Sequence, residues 1–197
     1  MSKYKTISSS SQSTYKQHGS VFLGFIEKID SIENFKTQLK VNKVNHKSAS
    51  HVCSAYRIIN QGILQEKASD DGEPSGTAGV PMLNELKRTN IINAGVYVIR
   101  YFGGKKLGIP GLIHAYSETI KLALLNNKLI SWEPSEKYVL NHNYSDIDYI
   151  DFLFKKYNIT LCDRTFDLFV DSIVEINNSL FEKFNNELSK NKINHIS

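Results

Sequence analysis

Residues 70–79, DDGEPSGTAG, set Asp70, Asp71 and Glu73 beside Ser75, Thr77 and three glycines. Carboxylates this close supply the oxygen ligands that Mg²⁺ favours. With His51, the same stretch also holds the residue types of a hydrolase: Ser75 as nucleophile, His51 as base, Asp71 as orienter. EPSGT is not a GxSxG elbow, however, and nothing in the spacing brings His51 to Ser75. A histidine on a strand is more often a hydrogen-bonded, half-buried one. Acids just ahead of a helix have a simpler use as acceptors for its free N–H groups. No HExxH, CxxC or EF-hand spacing is present.

A second loop, RYFGGKKLGIPGL (100–112), carries the opposite charge through Arg100, Lys105 and Lys106, with His114 close behind. Glycines between a strand and a helix let backbone N–H groups converge on an anion. The loop is not a Walker A motif, because Ile109 stands where the lysine belongs, and it contains no GxGxxG. The charges predict that the loops face each other, with Asp70, Asp71 or Glu73 pairing with Arg100 or Lys105. A mutual clamp, a partner- or RNA-binding surface, and a catalytic or metal site are the three readings of that arrangement. Tyr101 and Phe102 are expected in the core at the end of the strand.

The elements that position these loops read as follows. Val21–Ile29 is a strand. A helix capped by Asp30-Ser31 follows, with Ile32, Phe35 and Leu39 at helical spacing. Lys36, Lys40, Lys43 and Lys47 form one stripe on it, either a solvated edge or a set of phosphate contacts. Residues 51–59 and 63–69 are strands joined by Asn60-Gln61-Gly62. A short helix starts near Pro81 and buries Val80, Leu83 and Leu86. Residues 94–102 are a buried central strand. Leu112, Ile113, Tyr116, Ile120, Ala123 and Leu124 mark one face of the next helix, opposite His114, Glu118 and Lys121. Residues 1–17 are expected to be disordered or loosely attached, 18–131 to form an α+β domain, and 132–137 a linker. Residues 138–197 follow in the order βαββα, with Phe166, Leu168 and Val170 alternating as a strand. That order is a ferredoxin-like half-sandwich whose last strand is short or missing.

Composition narrows the class. The 197 residues carry a formal net charge of +4, with 41% hydrophobic and 22% charged side chains, as in ordinary globular proteins. No run suits a bilayer span, and the first residues lack a signal-like apolar segment. Two distant cysteines, Cys53 and Cys162, argue against a disulfide scaffold or structural zinc and fit the cytoplasm. Charge is uneven: residues 1–134 hold 17 Lys and Arg against 10 Asp and Glu, and residues 135–197 hold 7 against 10. A polyanion is therefore drawn to the first part.

SDDGEPSGTAGVP, followed about twenty residues later by RYFGGKKLG and then by GL and AY, resembles the YigZ/IMPACT family over roughly residues 18–128. His51, Cys53, Ala55 and Tyr56 match the family's His-x-Cys-x-Ala-Tyr strand. The last third is similar to the C-terminal domain of the bacterial YigZ-type members. The resemblance implies a first domain folded like domain IV of elongation factor G and a ferredoxin-like second domain like its domain V. Eukaryotic relatives act in translational control, restraining activation of the amino-acid-starvation kinase through its activator. They use an extra N-terminal domain that this sequence reads as lacking, so the bacterial-type role is the one expected. The family's Gly-Gly-Leu-x-Arg-Ala-Tyr stands here as Pro110, Gly111, Leu112, Ile113, His114, Ala115 and Tyr116. A backbone N–H and a permanent charge are thereby lost.

The expectation is a two-domain, cytoplasmic α+β protein, and a non-enzymatic factor linked to translation. It is expected to bind ribosome, RNA or a translation protein through the basic first domain, without cofactor, metal or membrane. The alternative is a small-molecule or metal-dependent enzyme, hydrolytic or nucleotide-binding, that uses the acidic loop.

Overall fold

The structure, a computed structural model, describes residues 4–60, 62–191 and 193. It divides into two compact α+β units, Met1–Trp132 and Glu133–Ser197. The first unit runs β1 (Lys5–Ile7), β2 (Ser11–Gln17), β3 (Ser20–Lys28), α1 (Ile32–Asn45), β4 (His51–Asn60) and β5 (Ile63–Ser69). It continues through α2 (Gly79–Arg88), β6 (Ala94–Tyr101), α3 (Gly108–Leu125) and β7 (Leu129–Ser131). Its main sheet has the order β2-β3-β6-β4-β5, antiparallel throughout.

Both faces of that sheet are covered. On one, Phe22, Ile26, Cys53, Ala55, Val96 and Val98 pack with Met82 and Leu86 of α2 and with Leu112, Tyr116 and Ile120 of α3. On the other, α1 is held by Phe35, which stacks on Tyr97 at 5.1 Å and meets Tyr56 edge-on at 4.8 Å. Burying one such aromatic side chain contributes about 1.5–3 kcal/mol. Two-sided burial explains why β4 and β6 read as continuous apolar runs rather than alternating ones.

Four expectations are corrected here. Residues 5–17 are not disordered: β2 pairs with β3, and β1 pairs with β7. Hydroxyls as well as Tyr15, which packs on the core beside Phe22, fasten β2: Ser11 Oγ donates to the Ala123 carbonyl at 2.8 Å and Ser13 Oγ to that of Thr119 at 2.6 Å. Residues 1–3 and Gln61 of the β4–β5 turn lie outside the described residues. Val80 is 45% exposed because α2 begins at Gly79, which turns Val80 outward. Phe102 lies beyond the end of β6 and is 48% exposed rather than in the core. Lys47 follows the last residue of α1, so only Lys36, Lys40 and Lys43 share the helix.

The second unit runs β8 (Ser135–His142), a short 3-10 turn, α4 (Ile147–Tyr157), β9 (Thr160–Phe166), β10 (Val170–Asn177) and α5 (Asn178–Lys190). This is the expected βαββα order, and its antiparallel sheet runs β8-β10-β9. Leu140, Val174 and Ile176 bury against Ile150, Leu153, Phe154, Phe184 and Leu188. Two details differ. The first strand begins at Ser135, inside the span expected as linker, and Leu168 belongs to a reversal between β9 and β10, where it is 86% exposed.

Candidate functional site: an acidic loop braced by a buried ion pair

The acidic loop joins β5 to α2, and each of its carboxylates is committed to a different task. Asp70 accepts from the backbone N–H of Gly76 at 2.8 Å, Ala78 at 3.0 Å and Gly79 at 2.8 Å. It thus serves as the N-terminal cap of α2 from eight positions upstream of Ala78, whose own side chain has no acceptor. Gly79 makes this possible, because a Cβ there would lie 2.5 Å from the Ser69 nitrogen. Asp71, in the left-handed region at φ 46°, accepts from the Val52 N–H at 2.8 Å and pairs with Lys43 Nζ at 2.5 Å. Thr77 is buried, with its hydroxyl donating to the Pro74 carbonyl at 2.7 Å, and Ser75 is exposed.

Glu73 turns inward. Arg100, in cross-strand register between Phe22 of β3 and His51 of β4, donates through Nη1 to Glu73 Oε1 at 2.6 Å. The Tyr116 hydroxyl on α3 donates to the same oxygen at 2.8 Å, and His51 Nε2 lies 3.9 Å away. The Arg100 and Glu73 side chains are only 6% and 3% exposed, and the guanidinium sits 5.5 Å from the ring centres of both Phe22 and Phe102. Arg100 Nε is buried without a partner. A pair this dry is costly to desolvate, and removing one member leaves an uncompensated charge.

Around it lie Cys53, whose sulfur is 3.0 Å from the Asp70 carbonyl and 3.3 Å from the Tyr116 oxygen, and His51, whose Nδ1 is 2.9 Å from the Asp71 carbonyl. Burial pushes the Cys53 thiol up to about 12, and burial, with Cys53 and Glu73 beside it, raises the Tyr116 phenol strongly. Both therefore act as protonated hydrogen-bonding groups rather than as nucleophiles.

Of the predicted loop pairings, the one present joins Glu73 to Arg100. Arg100 lies on the strand rather than in the loop, and among the described residues no ion pair involves Lys105 or Lys106, which are exposed. His114 is exposed on α3, edge-on to Tyr15 at 6.1 Å, and Ile113 beside it, expected on the apolar face, is 41% exposed instead. Lys36 pairs with Glu33 at 2.7 Å, while Lys40 and Lys47 are exposed. No hydrogen bond joins Ser75 to His51, so the hydrolase constellation is not assembled. No group of three or more His, Cys, Asp or Glu is arranged for a metal ion among the described residues. Gly103 lets the second loop cross the β2–β3 turn, because a Cβ there would fall 1.9 Å from the Gly19 carbonyl carbon.

Tyr116 and Cys53 were read as core or motif residues, without the hydrogen bonds that tie them to the site. The signal was a lone phenol on an otherwise aliphatic helix face, since a buried tyrosine hydroxyl needs a partner.

The first unit is thus a two-sided antiparallel sheet whose acidic loop is tied by one buried ion pair to the central strand β6 and by a phenol to α3. The chain belongs to the IMPACT family: the model of the Impact N-terminal domain matches residues 18–124. It is 42% identical over 103 residues to the IMPACT family member YvyE of Bacillus subtilis, covering 52% of this chain and about half, 47%, of that relative. It is 31% identical over 173 residues to an IMPACT family member of Haemophilus influenzae, covering 86% of this chain and 82% of the relative. A crystal structure of a hypothetical protein matches 100% of this chain and 96% of its own, at 25% identity and a TM-score of 0.70. Among the described residues no helix is long and apolar enough to cross a membrane.

Proposed function

We propose that this chain is a non-enzymatic binding factor linked to translation, which engages the ribosome or RNA through the surface formed by Lys105, Lys106 and the start of α3. One observation carries this reading. Every carboxylate of the facing loop is already occupied, Asp70 by α2, Asp71 by Lys43 and Glu73 by Arg100, while Lys105 and Lys106 have no ion pair. The helix that follows them has no side-chain cap and no acid in its first turn, so its positive end adds to the same field. Exposed Phe102, Ile109 and Ile113 give that surface an apolar component.

Family resemblance supplies the link to translation and the likeness of the two units to domains IV and V of elongation factor G. The βαββα order and the strand order of the second unit support the ferredoxin-like half of that likeness. The cytoplasm is the matching compartment. A metal-dependent reaction on the acidic loop is disfavoured, because binding a cation would strip the cap from α2 or break the Glu73–Arg100 pair.

The test is sedimentation with ribosomal subunits across a salt series, comparing the parent with Lys105→Ala/Lys106→Ala. Salt-sensitive pelleting is expected, and loss of two phosphate contacts reduces the log–log salt slope by about 1.5. Asp71→Asn is expected to retain binding. Absence of pelleting at low salt, or a slope unchanged in the double variant, overturns the proposal.

A further inference from the structure

We infer that the outer edge of β5 and the groove beside it form a docking site for an extended acidic peptide of a partner protein. Among the described residues β5 is the last strand of the main sheet and pairs only with β4, over seven residue pairs from Ser54–Ser69 to Asn60–Ile63 without a bulge; Gly79 of α2 lies against the Ser69 backbone, so the open edge is residues 63–68. Such an edge offers outward N–H and C=O groups for another strand. It holds neither proline nor bulge, two of the usual devices that blunt an edge.

The groove accounts for what the added strand brings with it. α1 packs over β4 and β6, leaving an opening of about 200 Å³ between the helix and β5. Ile32, Phe35 and Leu39 line its helix side, and Tyr56 lies on the strand side. Phe35 and Tyr56 are each 6% exposed, so the floor is closed and apolar. Alternate side chains of a strand added to β5 point to this face, which places one large apolar residue in the opening.

The rim selects charge. Lys36 stands on the helix side and Lys67 on the strand side. Lys67 is exposed and has no ion pair among the described residues, while the Lys36–Glu33 pair is 62% and 80% exposed and therefore weak enough to be exchanged. The fitting sequence is acid-x-apolar-x-acid, with its carboxylates two positions either side of the apolar residue. A nucleic acid offers neither the strand backbone nor the apolar side chain. The site uses neither Lys105 nor Lys106, so it stands or falls independently of ribosome binding.

The experiment titrates the full chain with a pool of heptapeptides built on Glu-x-Leu-x-Glu, followed by amide NMR, beside the matching Lys-x-Leu-x-Lys pool. Shifts concentrated at Ile63–Ser69 and Ile32–Leu39 are expected with the acidic pool. In Lys36→Glu/Lys67→Glu, which changes only exposed side chains, its affinity falls at least tenfold and the preference moves to the basic pool. The inference is overturned if the acidic pool at millimolar concentration leaves the β5 amides unmoved, or if the two pools bind alike. It is also overturned if β5 instead pairs with a second copy of the chain, seen as a concentration-dependent dimer in sedimentation velocity.

Discussion

Replacing Glu73 by Gln keeps the shape of the brace and removes its negative charge. Arg100 then remains 6% exposed with no counter-charge, 5.5 Å from the centres of two aromatic rings, with Nε already unpartnered. Breaking a buried pair in this way costs about 3–5 kcal/mol. In urea, at an m-value of about 2 kcal/mol/M for a unit of this size, the midpoint falls by roughly 2 M. The single tryptophan, Trp132, belongs to the first unit and packs edge-on to Tyr4 at 6.3 Å, so its fluorescence reports that unit. The informative partner is Glu73→Leu/Arg100→Met/Tyr116→Phe, which removes the carboxylate, its cation and its phenol donor together. With no buried polar group left unpaired, the triple variant is expected to recover to within about 1–2 kcal/mol of the parent. A Glu73→Gln cost below about 1 kcal/mol would refute the reasoning, and so would a triple variant no more stable than the single one.

Three further outcomes follow from the same geometry. Asp70→Ala removes the acceptor of three backbone N–H groups and is expected to cost about 2–3 kcal/mol, with accelerated amide exchange first at Ala78 and Gly79. Burial raises the Glu27 carboxyl above the ordinary carboxylate range, and one of its oxygens is buried without a partner. Its favourable contribution therefore exists below the unfolded value of about 4.3 and is lost as pH rises through the raised folded value. Glu27→Gln is accordingly expected to raise Tm at pH 7 but not at pH 4, and an equal gain at both would contradict this. With Cys53 held at about 12, only about one part in ten thousand is thiolate at pH 8. A thiol reagent is expected to label exposed Cys162 in the native chain and Cys53 only after unfolding, whereas two fast native thiols would sink that assignment.

How much of this was legible in the sequence depended on what held each element. β4, β6 and α3 are held by aliphatic burial, and their residues announce it by run and period. β2 was misread because Tyr15 is the one apolar residue among its inward positions, which otherwise include Ser11 and Ser13, whose hydroxyls bond the carbonyls of a helix more than a hundred residues away. A polar strand fixed by hydrogen bonds has no apolar period to find. In the site, opposite charges on two loops led to a set of pairings that contained Glu73–Arg100. Sequence order put Arg100 at the start of a loop, and only the register with Phe22 and His51 shows that it is internal. The role of acids ahead of a helix was open to reasoning, but which acid did so was not. Asp70 reaches α2 because Gly79 lets that helix lie directly against Ser69. Likewise, the reversal at Leu168 is a matter of pairing register, which alternation of apolar residues alone does not specify.

The pairing of β1 with β7, with Lys5 opposite Ser131, also bears on how the chain is made. During synthesis the hydroxyl of Ser11 waits for the Ala123 carbonyl, 112 positions later, and Ser9 waits for Asn127, 118 positions later. At 5–20 residues per second that interval lasts roughly 6–24 s. Through it β2 has the β3 hairpin, and β1 its backbone bonds to Asn90 and Ile92, but the contacts to α3 and β7 are missing, and the first unit cannot close on itself until its final strand has left the exit tunnel. A pause in translation once β7 is outside the tunnel would shelter this fold, and an earlier pause would expose it.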